Sequence, residues 1–173
     1  FLCIGALAAA LTFFPVTSNA EVLTGSKPSD LYKEKVDAVE VFNDSSDKEL
    51  YITDDDVYLM SQVVYAESGA EPFDGKVAVA SVILNRMKNP QFPHTVKEVV
   101  TQKGAFSCIN DGKINVTPDQ DSYAAVLEAW KGNDPTSKAV FFYNPITSTS
   151  KWMIDSPKKG AKQIGHHVFF KAD

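Results

Sequence analysis

The chain has 173 residues, a net charge of −5 and a hydrophobic fraction of 44%. Its charge is uneven, since residues 21–52 carry eight acidic side chains against four basic ones, whereas residues 53–173 carry fourteen against thirteen. The nearly neutral second part excludes a strongly basic nucleic-acid-binding domain, and its length of about 120 residues suits one compact domain with one core.

The first twenty residues form an apolar segment without charged side chains, which ends in the small residues Ser18-Asn19-Ala20. This pattern resembles the apolar and cleavage regions of a secretory signal peptide that lacks its initial methionine and basic start. We therefore expect residues 1–20 to be an N-terminally truncated signal peptide, with an uncleaved membrane anchor as the alternative. Cys3 would leave with this segment, so Cys108 would be the single cysteine of the mature protein and no intramolecular disulfide could form.

Residues 21–52 are polar and acidic with few apolar side chains, so we expect a flexible linker that contains at most a short helix near residues 30–41. The folded domain is expected at residues 53–173. It would begin at Thr53, a good helix N-cap that is followed three residues later by Asp56.

Two predicted helices meet at a tight turn that has one glutamate on each side. The apolar residues before Glu67 recur at the spacing of a helix with one buried face: Val57, Met60, Val63 and Val64. Gly69 would allow the chain to turn, and Pro72 would start a second helix that runs to about Lys88.

The two glutamates should differ in chemistry. Glu67 would lie at the negative end of the first helix among apolar neighbours, and both effects favour its protonated form. A protonated glutamate near neutral pH is what cleavage of a glycosidic bond requires, although a solvated last-turn residue explains Glu67 equally well. Glu71 would lie at the positive start of the second helix, where a structural role is the better explanation.

Capping boxes predict two further helices, one opened at Thr95 and one opened at Thr117 and running to about Lys131, with residues 103–116 as loop. Beyond residue 137, short aromatic segments predict strands at residues 139–143 and 167–170. A Ser/Thr-rich loop between them leads to Trp152. These elements predict a mainly helical lobe followed by a small sheet-containing lobe, which is an α+β fold.

Four ordered blocks of the sequence are shared with a known family. The longest runs from Ala66 to Arg86, and the others follow in order: Gly104-Ala105-Phe106-Ser107, Ala139-Val140-Phe141-Phe142-Tyr143-Asn144-Pro145 and Ile164-Gly165-His166-His167-Val168-Phe169. With Lys151-Trp152 between the last two, roughly residues 54–171 resemble the SleB/CwlJ-like cell wall hydrolases, which include spore cortex-lytic enzymes. The resemblance implies a lysozyme-like, lytic-transglycosylase-like α+β fold.

The same resemblance implies cleavage of peptidoglycan between N-acetylmuramic acid and N-acetylglucosamine by a germination-type lytic transglycosylase. Glu67 would act alone, first as acid and then as base towards the muramic acid 6-hydroxyl, and the product would be a 1,6-anhydro sugar. Three other carboxyls could serve a hydrolase instead, but none has a convincing context: Glu71, Asp111 and Asp155. The enzyme would need no cofactor and would work as an exported monomer at the cell wall, spore cortex or periplasm, with peptidoglycan as its partner.

Side chains in the family-like blocks are candidates for binding the sugar chain: Phe106, Ser107, Tyr143, Asn144 and Trp152. Aromatic rings bury the apolar faces of sugars, and the serine and asparagine could form hydrogen bonds. Core packing is an alternative role for each ring, most of all for Phe106, and turn formation is the alternative for the two polar residues.

Two adjacent histidines close the last block, and alternation along a strand would turn one of them inwards. The resemblance points to His167 as the inward, structural one. Three histidines, one mature cysteine and no HExxH-like spacing argue against a metal site.

Two other functions stay open. An amidase or peptidase could use Cys108 with His166 or His167, although a loop position does not favour a thiolate as a helix start does. A non-catalytic wall-binding domain would keep the aromatic residues without needing a carboxyl at Glu67.

Overall fold

The computed structural model describes residues 50–172, so the expected signal peptide and nearly all of the expected linker lie outside it. Within this range, helices and strands follow in the order α1 (Asp54–Ser68), α2 (Phe73–Lys88), α3 (Val96–Thr101), α4 (Gln120–Trp130), β1 (Phe141–Tyr143), α5 (Lys151–Asp155), β2 (Lys159–Ile164) and β3 (His167–Lys171). Ile52 is already buried in the core, so packing begins just before the predicted start at Thr53. None of these helices has the length and apolar character needed to span a membrane.

The first helix begins where the sequence predicted. The Thr53 hydroxyl accepts the N–H of Asp56 at 3.2 Å, and the Asp56 carboxylate accepts the N–H of Thr53 at 3.0 Å, which completes a capping box. The inward face of α1 contributes fully buried side chains to the core: Met60, Val63 and Val64.

A tight corner joins α1 to α2. The N–H of Glu71 donates to the Ser68 carbonyl at 2.9 Å, and Pro72 is the N-cap of α2 rather than its first residue. Gly69 lies at this turn with a right-handed helical backbone, since its φ is −56°. A Cβ at this position would lie 2.7 Å from the carbonyl oxygen of Tyr65, so the glycine serves a close approach of backbone.

The fourth helix begins later than predicted. Asp119, not Thr117, is its N-cap, because the Asp119 carboxylate accepts both the N–H and the hydroxyl of Ser122, at 2.8 and 2.6 Å. Lys76 on α2 is buried and forms ion pairs of 3.6 and 3.7 Å with Asp119 and Asp121. This contact ties the start of α4 to the central helix.

The three strands form an antiparallel sheet in the order β1-β3-β2. The middle strand supplies two fully buried rings, Phe169 and Phe170. Strand β1 is shorter than the predicted 139–143 segment, while β2 and α5 were not predicted. The fold is therefore α+β, with a mainly helical part followed by a small sheet, as the sequence predicted.

Candidate active site

Glu67 lies in the last turn of α1, half-buried, beside the loop that follows α3. Its Oε1 accepts the N–H and the hydroxyl of Ser107 at 2.9 and 3.0 Å, and the N–H of Cys108 at 3.3 Å. These three hydrogen bonds all fall on Oε1. The other oxygen, Oε2, is therefore the one that can carry and donate a proton.

These donors were not part of the sequence prediction, which placed apolar neighbours around Glu67. They come from residues 40 and 41 positions further along the chain. Hydrogen bonds to a carboxylate stabilise its charged form, so the loop supports the negative charge that the acid has after losing its proton. Ser107 therefore contacts the acid directly, and its expected hydrogen bond to substrate stays a prediction.

The loop that holds Glu67 is fixed by the core at one end and by α1 at the other. Phe106 is 4% exposed and packs against Phe142, with 6.3 Å between the ring centroids. The amide of Gln62 on α1 donates to the Val116 carbonyl at 2.7 Å. Phe106 is thus covered by core side chains and anchors the loop. Of the two roles considered for this ring, core packing holds and sugar binding does not.

Cys108 lies against the carboxylate of Glu67, which accepts its backbone N–H at 3.3 Å. Burial, followed by the charge and the hydrogen-bond acceptor of Glu67, raises the pKa of the Cys108 thiol to about 12. The thiolate is the nucleophilic form of cysteine, so at neutral pH this side chain is a protonated, weak nucleophile. This finding opposes the amidase or peptidase alternative.

Glu71 joins the corner between α1 and α2 to the turn between β2 and β3. Its Oε2 accepts the N–H of His166 at 2.9 Å, and its Oε1 lies 3.0 Å from Nδ1 of the same residue. Burial raises the pKa of Glu71, but these two contacts with His166 and the charge of His167 outweigh it, so the pKa lies below its usual 4.5. These contacts favour the ionised form of Glu71, and its supporting role stays a prediction.

His167 faces inwards from β3 and is 8% exposed, whereas the ring of His166 is 64% exposed. Nδ1 of His167 is buried and has no hydrogen-bond partner among residues 50–172, since the Oε1 atom of Glu71 lies 3.7 Å away. Burial lowers the pKa of His167 below 6.5, although the charges of Glu71 and Glu67 act in the opposite direction. The ring is therefore a neutral, structural neighbour of both glutamates.

The remaining candidates for sugar binding lie near β1 and α5. Trp152 is 51% exposed and meets Phe141 edge-on at 5.0 Å between centroids. Tyr143 is half-buried, and the ammonium of Lys158 lies 5.3 Å from its ring centroid. The side-chain oxygen of Asn144 accepts the N–H of residue 146 at 2.9 Å, so Asn144 forms the turn after β1.

No second carboxylate is in hydrogen-bond contact with Glu67 among the described residues. Asp111 lies in the exposed loop with a φ of 49°, and Asp155 is exposed at the end of α5. Across residues 50–172, no group of three or more histidine, cysteine, aspartate or glutamate side chains could hold a metal ion.

Two residues of the site make contacts that the sequence prediction did not include. His166 was expected to be the outward partner of His167, yet it contacts Glu71 through both backbone and ring. Arg86 was only part of a motif, although its guanidinium is buried over Phe106. A basic residue in the last turn of a helix ordinarily faces solvent, so helical periodicity gave no reason to place Arg86 inside.

The model of one protein family, the cell wall hydrolases, matches residues 70–170 of this chain. Similar curated proteins are the spore cortex-lytic enzymes of Bacillus cereus, Halalkalibacterium halodurans and Bacillus subtilis, which are 47%, 45% and 41% identical over 116, 117 and 117 residues. These matches cover 67%, 68% and 68% of this chain. They cover 44%, 35% and 38% of the relatives, so the chain spans less than half the length of each.

Two solved structures are also similar. The catalytic domain of the Bacillus cereus SleB protein is 45% identical, with a TM-score of 0.62 over 69% of this chain and 91% of that one. The catalytic domain of the germination-specific lytic transglycosylase SleB from Bacillus anthracis is 44% identical, with a TM-score of 0.64 over 69% of this chain and 97% of that one. Both likenesses confirm the predicted α+β, lysozyme-like fold.

Proposed function

This chain belongs to the cell wall hydrolase family, and from that premise we propose that it cleaves peptidoglycan glycan strands between N-acetylmuramic acid and N-acetylglucosamine as a lytic transglycosylase. The names of the Bacillus anthracis structure and of the spore cortex-lytic enzymes support this activity. Because the chain matches less than half of those curated relatives, the proposal concerns the chemistry of the matched domain. Its substrate would place it outside the cytoplasm, at the cell wall, spore cortex or periplasm.

The observation that carries the proposal is the geometry of Glu67. One oxygen is held by three donors, and the other is left to exchange a proton. Such an acid can protonate the glycosidic oxygen as the bond from that oxygen to C1 of the muramic sugar breaks. The resulting carboxylate keeps its hydrogen bonds to Ser107 and Cys108, which stabilise its new charge.

The second half of the reaction returns the proton. The C6 hydroxyl of the same muramic sugar attacks C1, and its proton passes to Glu67, which regenerates the acid and leaves a 1,6-anhydro ring. No water enters the product. One carboxyl suffices for both steps, which agrees with the involvement of Glu71 in the β2–β3 turn and with the exposed positions of Asp111 and Asp155.

Of the three rings expected to bind the sugar chain, Trp152 and Tyr143 are the two that keep surface open to solvent. Half of the Trp152 side-chain surface is open to solvent, and an indole ring buries sugar faces with little loss of conformational entropy. Phe106 cannot share this role because it is buried.

Glu67→Gln tests the assignment, because the amide keeps the shape of the side chain but cannot donate its proton. We expect purified peptidoglycan to be degraded at least about a hundredfold more slowly, with an unchanged melting temperature. Asp111→Asn, an exposed loop substitution, serves as the control and should keep full activity. A Glu67→Gln protein with most of its activity would overturn the proposal.

Mass spectrometry of the released fragments tests the reaction type. We expect muropeptides that end in 1,6-anhydromuramic acid, about 18 Da lighter than hydrolysed ends, because water is absent from the product. Fragments with only reducing ends would identify a hydrolase. Wall binding without any release of fragments would instead identify a non-catalytic domain.

A further inference from the structure

A buried arginine lies behind the proposed acid. Arg86, in the last turn of α2, is 4% exposed. Its Nε donates to the Val140 carbonyl at 2.8 Å, but its Nη1 is buried without a hydrogen-bond partner among the described residues. Burying a cation with an unpaired donor costs free energy, so the presence of Arg86 at this buried position calls for a physical reason.

The guanidinium is enclosed by aromatic rings. Its central carbon lies 5.1, 5.4 and 5.9 Å from the ring centroids of Phe106, Phe92 and Phe141. Rings attract a cation through their faces, but they also keep water away from it. Charge interactions reach further through such surroundings than through water, so a carboxylate beyond the rings still interacts with Arg86.

The nearest link from Arg86 to the acid runs through Phe106. This ring precedes Ser107 and Cys108, whose backbone N–H groups hold Oε1 of Glu67. Burial lowers the pKa of Arg86 to about 10, and the charge of Glu67 opposes this change. Arg86 therefore stays a cation at neutral pH and interacts with the charge of Glu67.

We propose that Arg86 is a positioning residue for the reaction: it fixes the loop around Phe106 and stabilises the charged form that Glu67 takes midway through catalysis. This inference rests on the proposed role of Glu67 as acid and base. Among the described residues, Cys108 from the loop and His167 from β3 also interact with Glu67, and burial favours the neutral form of both. Arg86 on α2 thus supplies the positive charge among these neighbours.

Two substitutions separate charge from packing. Arg86→Met removes the charge but fits the aromatic surroundings, and an apolar replacement of a buried ion is often tolerated. Arg86→Lys keeps the charge and loses the fork of donors. Lys97→Gln removes one positive charge from the exposed surface of α3 and serves as the control.

The first measurement is a ¹³C NMR titration of the Glu67 carboxyl, assigned by its loss in Glu67→Gln. In Arg86→Met we expect the pH of half-protonation to rise by about one unit, with little change in Arg86→Lys and none in Lys97→Gln. A folded Arg86→Met protein with an unchanged midpoint would show that Arg86 only packs the core. Should Arg86→Met not fold, Arg86→Lys decides: a midpoint like that of the parent supports the proposal, and a rise of a unit or more contradicts it.

The second measurement is the dependence of glycan-strand cleavage on pH. In Arg86→Met, the alkaline limb of the kcat/KM profile should move to higher pH by the same interval as the NMR midpoint. KM should stay unchanged, and kcat should fall about tenfold. A purely structural role would lower the melting temperature without moving this limb. If the NMR midpoint moves and the limb does not, the coupling of Arg86 to Glu67 stands and the assignment of Glu67 as the acid fails.

Discussion

At the scale of single residues, two titratable neighbours of Glu67 stay neutral near pH 7. Burial and Glu67 together raise the pKa of the Cys108 thiol to about 12, and burial lowers the pKa of His167 below its usual 6.5. Neither group supplies a charge near pH 7. The groups proposed to stabilise the charged form of Glu67 are therefore the donors of Ser107 and Cys108, together with the buried cation Arg86.

The neutral thiol gives a direct prediction for Cys108. Because its contact with Glu67 includes a backbone N–H, Cys108→Ser should keep activity within about threefold, and iodoacetamide at pH 7 should react far more slowly than with free cysteine. Ser107→Ala is a useful comparison, since it removes a hydroxyl donor to Glu67 and should slow cleavage about tenfold. A folded but inactive Cys108→Ser protein would revive the amidase reading.

At the scale of elements, the β2–β3 turn is shaped around one side chain. Gly165 has a φ of 58°, and a Cβ there would overlap with Oε2 of Glu71. Gly160 has a similar φ of 63°, but a Cβ there would meet nothing within 4 Å. The two glycines therefore share a backbone conformation and differ in what surrounds them.

Alanine at each position measures the contact with Glu71. Gly160→Ala should lower the free energy of unfolding by about 1 kcal/mol, the cost of a positive φ. Gly165→Ala should lower it by about 3 kcal/mol, because the overlap with Glu71 adds to that cost. Urea unfolding of both variants gives the comparison, and equal losses would mean that the turn moves away from Glu71 without strain.

Elements with their own local signals were the ones that the sequence could predict. Thr53 and Thr95 cap their helices as predicted, because a cap is encoded within four residues. The exposed strand β2 lacks alternation and is held by its pairing with β3, so nothing local identifies it. The same limit applies to the site: Glu67 and Glu71 could be found, but Ser107 as a donor and Arg86 as a buried cation depend on packing between distant segments.

At the scale of the whole molecule, several groups make the fold sensitive to acid. Burial is the largest single influence on the pKa of each group. It raises the pKa of three carboxylates, Glu71, Asp119 and Asp134, but their hydrogen bonds outweigh it and bring the pKa below the usual 4.5, 3.8 and 3.8. For His167, burial itself lowers the pKa below the usual 6.5. All four bind protons more readily when unfolded, so their stabilisation is present above the unfolded pKa values and is lost as the pH falls.

We therefore expect the melting temperature to fall as the pH drops below about 6.5, first through His167, and more steeply below about 4.5, through the carboxylates. Glu71→Gln should lower the melting temperature at pH 7, and the gap between variant and parent should narrow below pH 4.5 as the parent carboxylate becomes protonated. Asp155→Asn, an exposed control, should show no gap at any pH. A gap that stays constant on acidification would mean that the charge of Glu71 contributes nothing to stability.

The supports of Glu67 and Glu71 come late in the chain. The bond from Ser107 to Glu67 spans 40 residues, and the bond from His166 to Glu71 spans 95. During synthesis, α1 and α2 can pair early through local contacts, while closures over longer distances follow later. A nascent chain that has not yet reached β3 therefore carries Glu67 but lacks the contact of His166 with Glu71, so the corner between α1 and α2 gains this support only near the end of synthesis.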